Sequence, residues 1–140
     1  MTPQQIQAVQ TSFGKLEPVI NQAAMLFYDR LFQLDPSLWD MFHSTRTEQA
    51  RKLAHVLTVV VKSLNRPEQI LGTVQELGRR HVGYGVRDEH YDNVGEALLW
   101  TLEVGLGEAF TPEVSDAWAA AYTMLATVMQ EAAHAETVMA

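Results

Sequence analysis

Each of the five prolines in this 140-residue chain stands at the start of a helical pattern or at the break before one. That spacing constrains the fold more than any other feature. Proline fits the first turn of a helix and disrupts its interior, so it marks beginnings. Thr2-Pro3-Gln4-Gln5 combines an N-cap, a first-turn proline and a capping-box partner. Ile6, Val9, Phe13 and Leu16 follow at helical spacing. Glu17-Pro18 is expected to open a second helix through Leu31, and Asp35-Pro36 a short third one ending near Phe42. Thr45-Arg46-Thr47-Glu48 reads as another capping box, before Leu53, Val56, Val60 and Leu64. After the break at Asn65-Arg66-Pro67 come Ile70, Val74, Leu77 and His81 in line. Asp88 is expected to cap a helix bearing Tyr91, Val94, Leu98 and Leu102, and Thr111-Pro112 the last helix, with Trp118 and Leu125. No alternating strand pattern appears. The expectation is one all-α domain, residues 1–140, of about six to eight helices. Their unequal lengths disfavour a regular four-helix bundle. The scattered Met25, Met41, Met124 and Met129 read as core filler.

Composition removes several classes of function. There is no cysteine, which excludes disulfides, thiolate metal sites and thioether-linked haem. The net charge of −7, without a basic stripe, disfavours nucleic acid and anionic membrane surfaces. The longest aliphatic run, Leu57 to Val61, is far too short to span a bilayer. The N-terminus lacks the basic start and apolar block of a signal peptide, so a cytoplasmic location is expected.

Three polar residues stand out against apolar surroundings. His81 follows Ile70, Val74 and Leu77 at intervals of four, three and four, which places its imidazole on the apolar stripe in the last turn. Such a histidine is either a core group bonded to a carbonyl, a cation at the helix C-terminus, or a metal ligand. His43, His55, His90 and His134 show no zinc-binding spacing and read as surface or structural. A single ligand on an apolar face suits a cofactor that brings its own four ligands, as haem does. Gln49 heads the apolar stripe of Leu53 and Val56; it either faces water or offers an amide to a bound diatomic. Tyr28 sits among Leu26, Phe27, Leu31 and Phe32, and is either structural or a hydrogen-bond donor into a pocket.

With their flanks, these positions resemble the globin family over nearly the full length. Phe27-Tyr28-Asp29-Arg30-Leu31-Phe32, Leu34-Asp35-Pro36 and Met41-Phe42 resemble the globin B, C and CD segments. Leu77-Gly78-Arg79-Arg80-His81 with Gly85-Val86 resembles the F helix and FG corner. Tyr91 to Leu99 and Ala117 to Tyr122 resemble the G and H helices. The flavour is that of bacterial single-domain globins, flavohaemoglobin globin domains and neuroglobin.

The resemblance implies haem b (iron protoporphyrin IX), held non-covalently, with His81 as proximal iron ligand. It places Tyr28, Gln49 and Leu53 on the distal side and Phe42 against the haem. It implies a pocket lined by Val86, Tyr91, Val94, Leu98, Tyr122 and Leu125, with Lys52 and Arg80 near the propionates. Neuroglobin-like chains have histidine where this one has Gln49, so a five-coordinate ferrous iron is expected, open to O2, CO and NO. Donors from Tyr28 and Gln49 would slow O2 release by roughly two to four orders of magnitude. The resemblance also admits NO dioxygenase activity with a separate reductase, or gas or redox sensing through a partner protein. Flavohaemoglobin-like domains pair the proximal histidine with a tyrosine and a glutamate. Tyr91 is present here, but the glutamate position falls on Ala133, and Glu131 lies on another side of the helix.

Overall fold

The structure is a computed structural model that describes residues 1–42 and 44–139, with side chains as far as residue 135; His43 lies outside the described residues. Six α-helices follow one another: α1 Pro3–Leu16, α2 Ile20–Leu34, α3 Arg46–Lys62, α4 Leu71–Gly83, α5 Asp88–Leu106 and α6 Pro112–Met139. Four 3-10 turns join them, at Glu17–Val19, Pro36–Met41, Pro67–Gln69 and Gly107–Ala109. Among the described residues there is no strand.

Punctuation by proline holds, with one refinement. Pro3 and Pro112 open α-helices directly. Pro18, Pro36 and Pro67 instead open 3-10 turns. The expected short third helix is therefore the 3-10 turn Pro36–Met41, begun by the Asp35 carboxylate accepting from the Ser37 N–H at 3.1 Å. Thr2 makes the full reciprocal capping box with Gln5, whereas Thr45 makes only the forward bond, from the Glu48 N–H at 3.1 Å. At α5 the expectation fails. The N-cap is Arg87, whose N–H donates to His90 Nδ1 at 3.0 Å, and Asp88 is the first helical residue. Asp88 points elsewhere, to His134 Nε2 on α6 at 2.8 Å.

Packing follows a crossed pattern: α1 on α6, α2 on α5, α2 on α3, and α4 on α6. Phe13, Val9 and Leu102 are almost completely buried at its centre. Burial of each such side chain stabilises the fold by about 1.5–3 kcal/mol. Trp118 tethers α6 to α1: its Nε1–H donates to Ser12 Oγ at 2.8 Å, and that hydroxyl donates on to the Ala8 carbonyl at 2.7 Å. The α4–α6 contact depends on Gly78. A Cβ built there would lie 2.2 Å from the Met129 carbonyl oxygen, so any larger residue pushes α4 off α6. One turn further along α4 comes His81.

Candidate functional site

Helices α3 and α4, which carry Gln49 and His81, lean on different neighbours. The first packs on α2, the second on α6. Their inward stripes are therefore only partly covered by protein. Leu53, Val56 and Leu57 on α3, and Leu77 on α4, pack against the core yet are only half-buried. Phe42, Val86, Val94 and Leu125 share that condition, and Leu98 lies deeper, fully buried. Apolar side chains left partly uncovered on α3, α4 and their neighbours suit contact with a flat, greasy ligand.

His81 is prepared on the α4 side. Its Nδ1–H donates to the Leu77 carbonyl at 2.6 Å, one turn back. That bond sets the tautomer, because a carbonyl can only accept, and leaves the lone pair on Nε2. Burial lowers the imidazole pKa, and the Leu77 bond opposes this in part. The ring is therefore neutral at pH 7, as a metal ligand must be. The backbone is held as well. Gly85 takes a φ of 86°, a left-handed turn open to glycine, and the Val86 N–H returns to the His81 carbonyl at 3.0 Å. The histidine is a ring held by a carbonyl; the readings as a helix-end cation are set aside by its neutrality.

Tyr28 is prepared on the α2 and α3 side. It is buried against Phe27, Phe32 and Phe42 at ring-centroid distances of 5.1 to 6.2 Å. Its hydroxyl makes no hydrogen bond among the described residues. Burial pushes its pKa up to about 12, so it keeps its proton and remains a donor. Gln49 is half-buried, and its Nε2 donates to Ser44 Oγ. A primary amide carries two N–H donors, so one stays available. An Arg46–Asp29 pair fixes the start of α3 against α2 beside Tyr28, with two parallel bonds of 2.9 and 2.5 Å.

The expected rim residues are both exposed. Lys52 has no ion pair among the described residues, while Arg80 shares Glu76 with Arg79, at 3.5 and 3.2 Å. Behind His81's helix, Tyr122 donates from its hydroxyl to the Tyr91 carbonyl at 2.6 Å. The Tyr91 hydroxyl is buried and has no partner among the described residues. Ala133, at the position where the resemblance puts a glutamate, is a buried residue with no carboxylate to offer. Sequence reasoning missed Ser44 as the anchor of Gln49, and Asp29 as the anchor of Arg46. Neither spacing carries a signal. His90 is buried and structural, His134 is exposed and pairs with Asp88, and His55 is exposed.

Fold and side chains together define a helical protein with partly uncovered apolar stripes on α3 and α4, a carbonyl-bonded histidine in the last turn of α4, and a buried phenol on α2. Comparison with known proteins narrows this. The globin family model matches residues 26–129, and the chain belongs to the globin family. It is 37% identical over 106 residues to a flavohemoprotein of Rhizobium meliloti, covering 74% of this chain and 26% of that protein. It is 35% identical over 132 residues to a flavohemoprotein of Deinococcus radiodurans, covering 92% of this chain and 33% of that one. The chain thus spans a third or less of the length of these relatives. Among solved structures, a bacterial globin from Campylobacter jejuni superimposes with a TM-score of 0.84 at 25% identity, covering 95% of this chain and 96% of that one. A hexacoordinated heme protein from a tardigrade shares the fold, with a TM-score of 0.87 at 15% identity over 96% of both chains. Among the described residues no helix is long and apolar enough to cross a membrane.

Proposed function

We propose that the chain binds haem b non-covalently in a crevice between the stripes of α3 and α4 and uses it to bind O2 reversibly, with CO and NO as competing ligands. The observation that carries this reading is His81. Its Nδ1–H is committed to the Leu77 carbonyl, its pKa is lowered by burial, and its Nε2 is free to ligate. Haem would supply an iron that takes up a diatomic gas, and His81 would be the residue that holds it. The rest falls to the protein. Phe42, Leu53, Val56 and Val94 exclude water from the ring faces. Tyr28 keeps its proton across the physiological range and donates it toward negative charge on the ligand. Gln49 adds a second N–H from α3. Lys52 and Arg80 offer cations to the haem carboxylates. Arg80 must first loosen from Glu76, which costs little for an exposed pair.

A hydrogen bond to a charged acceptor contributes about 1.5–3 kcal/mol. Tyr28→Phe is therefore expected to speed O2 release by roughly ten- to a hundredfold. Gln49→Leu should have the smaller effect, since Ser44 already engages the amide. Laser-flash or stopped-flow displacement of O2 by CO measures both; unchanged release in both variants would remove the distal part of the proposal. The cofactor itself is tested by titrating haem into the purified chain. An intense Soret band is expected with the wild type, and His81→Ala, without added imidazole, should lose the wild-type ferrous and CO-bound spectra.

The similarity to flavohemoproteins favours a second reading, NO dioxygenation with electrons from a separate reductase. Nitrate formed on mixing the O2-saturated ferrous protein with NO, sustained over many turnovers by an added reductase, supports it. The proximal side argues for a weaker electronic push than a charged partner would give. His81 bonds a neutral carbonyl, and no carboxylate side chain stands at position 133. Ala133→Glu is expected to raise the iron–histidine stretching frequency in the ferrous protein. An unmoved frequency would show that position 133 does not address His81.

A further inference from the structure

A run of touching aromatic rings leads from the protein surface to the wall that bears Tyr28. Trp39, on the 3-10 turn Pro36–Met41, is 63% exposed. Its ring meets Phe32 edge-on with centroids 5.0 Å apart. Phe32 meets Phe42 at 5.3 Å, and Phe42 meets Tyr28 at 5.4 Å. Phe32 also lies 6.2 Å from Tyr28, tilted by only 26°. Trp39 therefore reaches Tyr28 through one intervening ring or two. The other tryptophans are placed differently. Trp118 is buried and bonded to Ser12, and Trp100 is half-buried under the Arg30 guanidinium at 5.2 Å. Lone exposed apolar residues are ordinary. An exposed indole joined by ring contacts to a buried phenol is a different arrangement.

We propose that Trp39 is a surface redox site, through which electrons pass from a large external donor to the crevice when hydrogen peroxide is reduced there. This rests on the haem reading above. Indole and phenol are the readily oxidised side chains of the run. Phe32 and Phe42 act as packed matter that shortens the gaps, without being oxidised themselves. The balance is simple. Hydrogen peroxide takes two electrons and two protons, its O–O bond breaks, and two waters form. Each electron leaves the Trp39 indole together with its N–H proton. A one-electron donor at the surface returns the electron and solvent returns the proton. From Leu31 to Phe42 the chain carries Asp35 and Asp40 and no Lys or Arg, so the donor that fits is cationic and too large for the crevice.

Ferrocytochrome c serves as the cationic donor probe, with phenol as a donor small enough to enter the crevice. The haem-loaded wild type, Trp39→Phe and Phe32→Leu are each mixed with peroxide. Trp39→Phe is expected to slow ferrocytochrome c oxidation about tenfold or more and to leave phenol oxidation within about twofold. Phe32→Leu, which keeps the site apolar but removes a ring, should fall between. Two readouts are independent of turnover. Freeze-quench electron paramagnetic resonance should show a tryptophanyl radical in the wild type and none in Trp39→Phe. Peptide mass spectrometry should place oxygen addition at Trp39, and little of it in haem-free protein given the same peroxide. Equal cytochrome oxidation by all three proteins overturns the proposal, as does equal Trp39 oxygenation without haem. If the Soret band is intact in such a result, only the electron path is lost; a chain that takes up no haem overturns both readings.

Discussion

The α1–α6 contact and the inward stripes of α3 and α4 are built from the same kinds of side chain and treat them oppositely. At the first, Phe13 is 1% exposed, Trp118 3% and Ser12 4%, and the one buried indole N–H has its acceptor. At the second, Leu53, Val56, Phe42 and Val86 are only partly covered, and the Tyr28 phenol has no hydrogen-bond partner among the described residues. A core closes on itself when helices pack directly, as α1 and α6 do. Helices that lean on separate supports leave an apolar face between them. The difference separates residues that close the core from residues left partly uncovered.

Stability measurements on the haem-free protein sharpen or break this comparison. Phe13→Ala should cost about 3–5 kcal/mol, because it removes a buried ring and leaves a cavity. Urea titration of the folded protein measures it, and a loss under about 1 kcal/mol would mean the α1–α6 contact is not the core. Alkaline pH tests the other region. The Tyr28 pKa is raised to about 12, above the 10.0 of an unfolded tyrosine. Between these values the unfolded chain has released a proton that the folded one keeps. Stability contributed by neutral Tyr28 is thus complete below pH 10 and declines by about 1.4 kcal/mol per unit toward pH 12. Tyr28→Phe should flatten that decline in part, since burial also raises Tyr91 and Tyr122. A pH–denaturation series showing equal alkaline slopes would contradict the burial of the phenol.

Leu53→Ala should cost less than Phe13→Ala, since the leucine side chain is smaller and only partly buried. A cost equal to that of Phe13→Ala would show the crevice to be ordinary core. The smallest effect belongs to the surface clamp. Arg46→Ala removes a pair whose partners are each nearly half exposed, and should cost under about 1 kcal/mol, less at high salt.

Much of this was legible along the chain. The prolines and caps located all six helices. The spacing of Ile70, Val74, Leu77 and His81 put the imidazole on an inward stripe, and the apolar setting of Tyr28 anticipated its burial. The failures share a cause. Asp88 was read as a cap because aspartate near a helix start usually is one, but His90 serves from three residues ahead and Asp88 turns to His134. The short third helix became a 3-10 turn, since six residues between Asp35 and Phe42 leave no room for a stable α-helical run.

By itself the sequence determined the helices, their inward faces and the presence of a lone histidine on one of them, because capping and 3.6-residue periodicity act within a turn or two. Only the tertiary structure decided which nitrogen of His81 is free, that the Tyr28 and Tyr91 hydroxyls find no partner among the described residues, and that Trp118 finds Ser12 across 106 positions. Those outcomes depend on which helix packs on which, and packing brings together residues that no local rule connects.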